Sequence, residues 1–261
     1  VITDMSIPEY KKIKKITLFN KLNLKTIGYK KSDLSIISHK YFNEKQLIKI
    51  KYKKTNFNFE TSLIGKVQIK NILMAILAAQ NSNIKIKNII SIIHKIKPVN
   101  GRLEKIGHIR NNSKVILDYA HTPDALEIAL KNLKDQFKDK KISIVFGCGG
   151  DRDKWKRPKM GKIASKYCEK IYLTDDNPRI ENPKIIRSHI KTQIKKTKLY
   201  EIPDREKAIH EGIKNLSTGE ILLVAGKGHE TVQEYGISKK IFSDKKCILK
   251  KIKIKNKNLF K

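Results

Sequence analysis

Ile142-Ser143-Ile144-Val145-Phe146 is a mostly apolar, β-branched run that ends in Gly147-Cys148-Gly149-Gly150-Asp151-Arg152-Asp153. The run has the length and composition of a strand, and the glycines end it. Working outward, residues 158–167 read as a helix, Ile171-Tyr172-Leu173 as a strand and residues 183–196 as a helix opened by Pro183. A strand at 199–202, a helix from 204 to 215 and a strand at 221–225 follow. On the other side, Val115-Ile116-Leu117 reads as a strand and residues 123–137 as a helix. Strands that alternate with helices predict an α/β fold with a mostly parallel sheet covered on both faces.

Earlier residues have a different texture. Lys-rich alternations such as Leu47-Ile48-Lys49-Ile50-Lys51-Tyr52 suit strands, and this reading is taken for residues 1–60. Residues 67–81 and 87–95 carry helical spacing. Pro98-Val99-Asn100-Gly101 is a turn signal and sets a boundary between domains at 1–101 and 102–261. The Lys-rich tail, 250–261, is expected to fray. Val1 reads like the end of a strand, so a fragment lacking its N-terminal part is expected.

The formal net charge is +33, yet only seven of the 58 basic residues are arginine. Lysines are spread along the whole chain and form no stripe interleaved with aromatics, as a single-strand groove requires. A biased composition therefore explains the charge better than nucleic-acid binding does, although a basic surface still attracts anionic substrates. No uninterrupted apolar run reaches the ~18 residues of a membrane span, and no signal peptide opens the chain. The widely spaced Cys148, Cys168 and Cys247 have no zinc spacing and read as free thiols of a reducing cytoplasm.

The unusual residues all follow strands, where an open parallel sheet binds ligands. Asp118-Tyr119-Ala120-His121 follows the first, the Gly147 loop the second, Asp175-Asp176-Asn177-Pro178-Arg179 the third, and Gly226-Lys227-Gly228-His229-Glu230 the last. Each cluster alone has a plain structural explanation. Gly147–Gly150 suits a tight turn, Asp118 a turn cap, His121 a surface histidine, Asp176-Asn177-Pro178 a turn before a helix, and Glu230 the first turn of a helix. Four of them on one rim point to a binding site. The Walker A spacing is absent, and no Ser-His-Asp or Cys-His order suggests a nucleophile.

Five segments together resemble the Mur ligases, and among them the members that add the third residue of the peptide. They are Pro98-Val99-Asn100-Gly101-Arg102-Leu103-Glu104, Asp118 to Leu126, Gly147 to Pro158, Asp176-Asn177-Pro178-Arg179 and Ala225 to Glu230. The likeness runs from about Leu63 to Asp244. It implies that residues 1–101 end a central α/β ATPase domain and that 102–261 form a C-terminal Rossmann-like domain. The UDP-binding domain, the phosphate loop, the main Mg2+ ligands and a carbamylated lysine would lie outside this chain, which itself would hold no metal ligand.

The implied reaction is ATP-dependent amide formation. ATP phosphorylates the D-Glu carboxylate of UDP-MurNAc-L-Ala-D-Glu, and the amine of meso-diaminopimelate attacks the acyl phosphate. By resemblance, Asn71, Arg102, Asp118 and His121 lie on the ATP side, with Asp118 on the ribose. Arg152, Asp176, Asn177, Pro178, Arg179, Gly226 and Glu230 match the diaminopimelate contacts. Arg179 decides the acceptor, because its fork can grip a distal carboxylate that lysine lacks. A monomeric cytoplasmic enzyme is implied, incomplete without its N-terminal part. A ligase for L-lysine or another amino acid, and a basic nucleic-acid-binding protein, remain as alternatives. Two positions depart from the family pattern: Trp155 replaces a glycine and Gln68 an asparagine. If position 155 requires positive φ, tryptophan is strained there.

Overall fold

The structure, a computed structural model, describes residues 1–258. The chain divides into two compact units, Val1–Lys97 and the residues from Pro98 onward. The first contains β1 (Ile2–Asp4), α1 (Tyr10–Phe19), β2 (Lys25–Gly28), β3 (Leu34–Phe42), β4 (Lys45–Tyr52), β5 (Thr55–Thr61), α2 (Lys66–Asn81) and α3 (Ile86–Ile92). Its sheet runs in the order β1-β2-β3-β4-β5. β1, β2 and β3 are parallel, and β3, β4 and β5 form an antiparallel meander. Ile27, Leu34, Ile48 and Ile50 of the sheet pack in one core with Ile69, Leu73, Ile76 and Leu77 of α2. The strand reading of residues 1–60 fails at α1. There Tyr10, Ile13 and Ile16 fall three apart, which is the helical and not the strand period.

The second unit contains β6 (Glu104–Ile106), β7 (Lys114–Asp118), α4 (Pro123–Gln136), β8 (Ile142–Phe146), α5 (Lys156–Tyr167), β9 (Lys170–Leu173), α6 (Pro183–Lys191), β10 (Lys198–Glu201), α7 (Arg205–Lys214), β11 (Ile221–Ala225), β12 (Val232–Tyr235), β13 (Ser238–Ile241) and α8 (Asp244–Asn258). Its six-stranded sheet has the order β10-β9-β8-β11-β7-β6. Every pair is parallel except β6 with β7. β7, β8 and β11 are buried along their whole length, as their unbroken apolar runs require. Helix starts follow local chemistry. Thr122, Asn182 and Asp204 each accept a backbone N–H at the head of α4, α6 and α7, and Pro123 and Pro183 occupy the first turn of α4 and α6.

Two readings are corrected here. The helix expected to run to residue 196 stops at Lys191, because Ser165 of α5 captures the Lys195 backbone. Its Oγ accepts the Lys195 N–H at 3.1 Å and donates to the Lys195 carbonyl at 2.5 Å. The tail expected to fray is helical through Asn258, while residues 259–261 lie outside the described residues. Cys247, Ile248 and Ile252 of α8 fall on one helical face and pack beside Val115, Leu117, Ile209 and Ile213. β6 and the β12–β13 hairpin were not anticipated. Cys148, Cys168 and Cys247 are free and buried. Among the described residues no helix is long and apolar enough to cross a membrane.

Candidate functional site

Four loops leave the carboxyl ends of β7, β8, β9 and β11, and they interlock. Gly150 of the β8 loop donates its N–H to the Asn177 carbonyl at 2.9 Å. A Cβ at Gly150 would stand 1.8 Å from the Pro178 carbonyl oxygen, so any other residue would drive the two loops apart. Arg157 of α5 clamps the same junction. It is fully buried, and both of its terminal nitrogens bond Glu181 at 2.7 Å. That guanidinium holds the Glu181 carboxyl well down, to about 2.

The β9 and β11 loops meet in a charged cluster. Lys227, with no exposed surface, donates to Asn177 Oδ1 at 2.9 Å, Glu230 Oε2 at 2.9 Å and the Val232 carbonyl at 2.7 Å. Three acceptors satisfy its three protons. Asn177 turns its amide nitrogen to Glu230 Oε2 at 3.1 Å. Asp176 lies beside Gly226, whose φ of +112 leaves no room for a side chain: a Cβ would be 2.7 Å from Asp176 Oδ2. Beneath them, the buried Arg205 pairs with Asp244 through two 2.8 Å bonds and donates to the Ala225 carbonyl at 2.9 Å. Its remaining Nη1 faces Asp176 Oδ2 at 3.8 Å, and neither of these two buried atoms has a hydrogen-bond partner.

Arg179 has a left-handed backbone, φ +54, and its side chain reaches both Gly150 and Glu234. Pro178 is buried at the Gly150 junction. Arg152 stands on the same loop as Gly150 but is exposed, with Nη1 donating to the Asp151 carbonyl at 3.2 Å. Trp155 has an ordinary helical backbone, φ −67, and is 84% exposed, so the expected strain is absent.

The β7 loop builds a second cluster on the other side of β11. Asp118 is buried and accepts the Leu103 N–H at 2.7 Å and the Ala120 N–H at 2.8 Å. Burial raises its carboxyl pKa above the ordinary value, against the pull of those two amides and Arg102. Arg102 lies over the Tyr119 ring at 4.4 Å. His121 and His229 flank that ring at 4.6 and 5.1 Å. Gly226 donates to the Asp118 carbonyl at 3.2 Å, so the β11 loop is common to both clusters. Asn71 is exposed on α2 of the first unit. Gln68 lies in the first turn of the same helix.

Sequence reasoning missed Lys227, Glu234, Arg157, Glu181, Arg205 and Asp244. One signal could have found the two arginines. Arg102, Arg152, Arg157, Arg179, Arg187 and Arg205 are six of the chain's seven arginines, and all six belong to this rim or its support, Arg187 through its bond to Asp175 on the β9 loop.

Residues 101–228 match the Mur ligase, glutamate ligase domain. The UDP-N-acetylmuramoyl-L-alanyl-D-glutamate--2,6-diaminopimelate ligase of Rickettsia montanensis is 44% identical over 88% of this chain and 47% of its own length. The enzyme of the same name from Rickettsia felis is 40% identical over 98% of this chain and 48% of its own. This chain thus spans about half the length of both relatives. A solved structure of a ligase of that name covers all of this chain and 53% of its own, with a TM-score of 0.70 and 28% identity. A parallel sheet with this rim, the domain match and the two relatives agree: the chain belongs to the Mur ligase family.

Proposed function

We propose that this chain is part of an ATP-dependent ligase that adds meso-diaminopimelate to UDP-MurNAc-L-Ala-D-Glu in peptidoglycan precursor synthesis. One observation carries the reading. Asp176, Asn177, Arg179 and Glu230 stand on the β9 and β11 loops, where Asn177 meets Glu230 and the Arg179 side chain reaches Gly150 and Glu234, so carboxylates and a guanidinium lie on neighbouring loops. An amino acid with an ammonium and a second carboxylate needs both signs at close range. In this reading Asp176 and Glu230 accept from the ammonium, while Arg179 pairs with the distal carboxylate. Arg152, exposed on the neighbouring loop, would meet the acceptor only as it docks.

The chemistry needs ATP because a carboxylate is a poor electrophile. Phosphate transfer to the D-Glu carboxylate gives an acyl phosphate and ADP. The amine then attacks the acyl carbon, and the tetrahedral intermediate expels phosphate and loses a proton to leave the amide. On this side of the reaction the protein aligns the amine and excludes misplaced acceptors. Asp118, Arg102 and His121 would form the nucleotide side in this unit, and the family resemblance assigns Asn71 to ATP as well. Mg2+ belongs to the proposal as the partner of the ATP phosphates, and among the described residues no three His, Cys, Asp or Glu side chains come together as a metal site. A monomer working in the cytoplasm completes the proposal.

The test is Arg179→Ala in the full-length ligase, assayed with ATP, UDP-MurNAc-L-Ala-D-Glu and either meso-diaminopimelate or L-lysine. The variant is expected to lose roughly 2–5 kcal/mol of diaminopimelate binding, the cost of removing one partner of a desolvated charge pair. Undiminished activity with diaminopimelate would sink the site assignment, and a wild-type preference for L-lysine would move the chain to the other acceptor class.

A further inference from the structure

Arg179 is pinned along its length by the strand that follows the β11 loop. Its N–H donates to the Glu234 carbonyl at 3.1 Å, and its own carbonyl accepts from Gly236 at 2.7 Å. Its Nε pairs with Glu234 Oε2 at 3.0 Å, and its Nη1 donates to the Gly150 carbonyl at 2.9 Å. An arginine in the left-handed region persists only where neighbours hold it, and these contacts do so.

The pattern of these bonds has a directional result. A guanidinium offers a carboxylate two forks, one side-on from Nε and Nη2 and one end-on from Nη1 and Nη2. Glu234 takes Nε, so the side-on fork is spent. Gly150 takes one of the two Nη1 protons. The end-on edge, led by Nη2, is the one that Glu234 leaves to a ligand. Both side chains are partly open to solvent, 25% and 30% exposed.

We propose that Glu234 is a positioning residue that selects the acceptor: it fixes the Arg179 guanidinium so that a second carboxylate on the incoming amino acid is met end-on. The inference rests on the reading of Arg179 given above. Glu234 also offsets the arginine charge, so selection comes from the direction of two N–H groups and not from bulk attraction. A carboxylate that merely competed with substrate for Arg179 would act with the opposite sign, and its removal would tighten binding.

The experiment compares Glu234→Ala, Glu234→Gln and Arg179→Ala in the full-length ligase. It measures kcat and KM for meso-diaminopimelate, ATP and UDP-MurNAc-L-Ala-D-Glu, with thermal unfolding as a check on folding. Glu234→Ala is expected to raise KM for diaminopimelate roughly tenfold, with kcat and the other two KM values within about twofold. Glu234→Gln keeps an oxygen acceptor for Nε and should recover most of that loss. An unchanged or lowered diaminopimelate KM in Glu234→Ala, beside a weakened Arg179→Ala, overturns the proposal and leaves the role of Arg179 standing. A uniform change in all constants, or no recovery with glutamine, also overturns it. If Arg179→Ala itself binds diaminopimelate normally, the error lies in the assignment of Arg179, and the role of Glu234 falls with it.

Discussion

The two clusters on either side of β11 are built from different materials. On the β9 side, charged groups hold one another: Arg157 with Glu181, Arg205 with Asp244, Lys227 with Glu230, Arg179 with Glu234. On the β7 side, the buried carboxylate of Asp118 is held by backbone amides, and the cation Arg102 rests on an aromatic ring. In the first arrangement the paired charges orient one another, while Asp176 Oδ2 and Arg205 Nη1 face each other at 3.8 Å without a hydrogen bond. The second leaves exposed rings and an exposed arginine around a fixed carboxylate. Prebuilt charge suits discrimination between small amino acids, where a misplaced group is left unpaired. An open ring platform suits a ligand that brings its own large flat surface.

The sharpest way to break this contrast is to remove its deepest charge. Arg205→Ala strands the buried Asp244 and should cost about 3–5 kcal/mol in denaturant unfolding of the full chain. Replacing both partners with apolar residues of similar volume should cost far less. If the single variant were as stable as the parent, the β9 side would not depend on buried pairing.

Acid should separate the two sides by sign. Glu181, held down to about 2 by Arg157, contributes stability that is complete above the ordinary glutamate value of 4.5 and is lost as pH falls toward 2. Asp118 is raised above 3.8 by burial, so its contribution runs the other way: it is complete below that value and lost as pH rises through the higher folded pKa. The stability difference between the parent and Glu181→Gln should therefore be full at neutral pH and shrink toward pH 2. A difference that stays constant with pH would remove the ion pair from the account. The smallest effect belongs to Arg102→Ala. An exposed cation over a ring is worth about 0.5–1 kcal/mol, and a loss of several in the same unfolding assay would erase the distinction between the sides.

How much of this was legible follows from what each element depends on. β8 and β11 lie where their apolar runs place them, residue for residue, because a strand buried on both faces needs no partner to be recognised. The four rim loops could be located because parallel strands carry ligands at one end. The β12–β13 hairpin escaped notice: its β13, Ser238–Ile241, is exposed throughout and carries no strand-like alternation of burial. α1 and α8 were misread because frequent lysines mask a period of three or four. Asp176, Asn177, Arg179, Gly226 and Glu230 were named from a motif, but their support was not. Asp244 is 68 positions from Asp176 in sequence (244 − 176), and nothing local signals that Arg205 links them. Pairings across such distances exist only in the folded sheet.

The scarcity of arginine takes on a meaning here. In this chain nearly every surface position that wants a positive charge has settled for lysine. Arg157, Arg187 and Arg205 each divide a planar set of N–H groups between two or more acceptors fixed in different directions. An ammonium at the end of a flexible stem cannot span such a set. The composition thus performs a substitution experiment on itself. Where the pull toward lysine has been resisted, geometry and not charge is what the position requires, and six of the seven arginines stand at or behind one edge of the sheet.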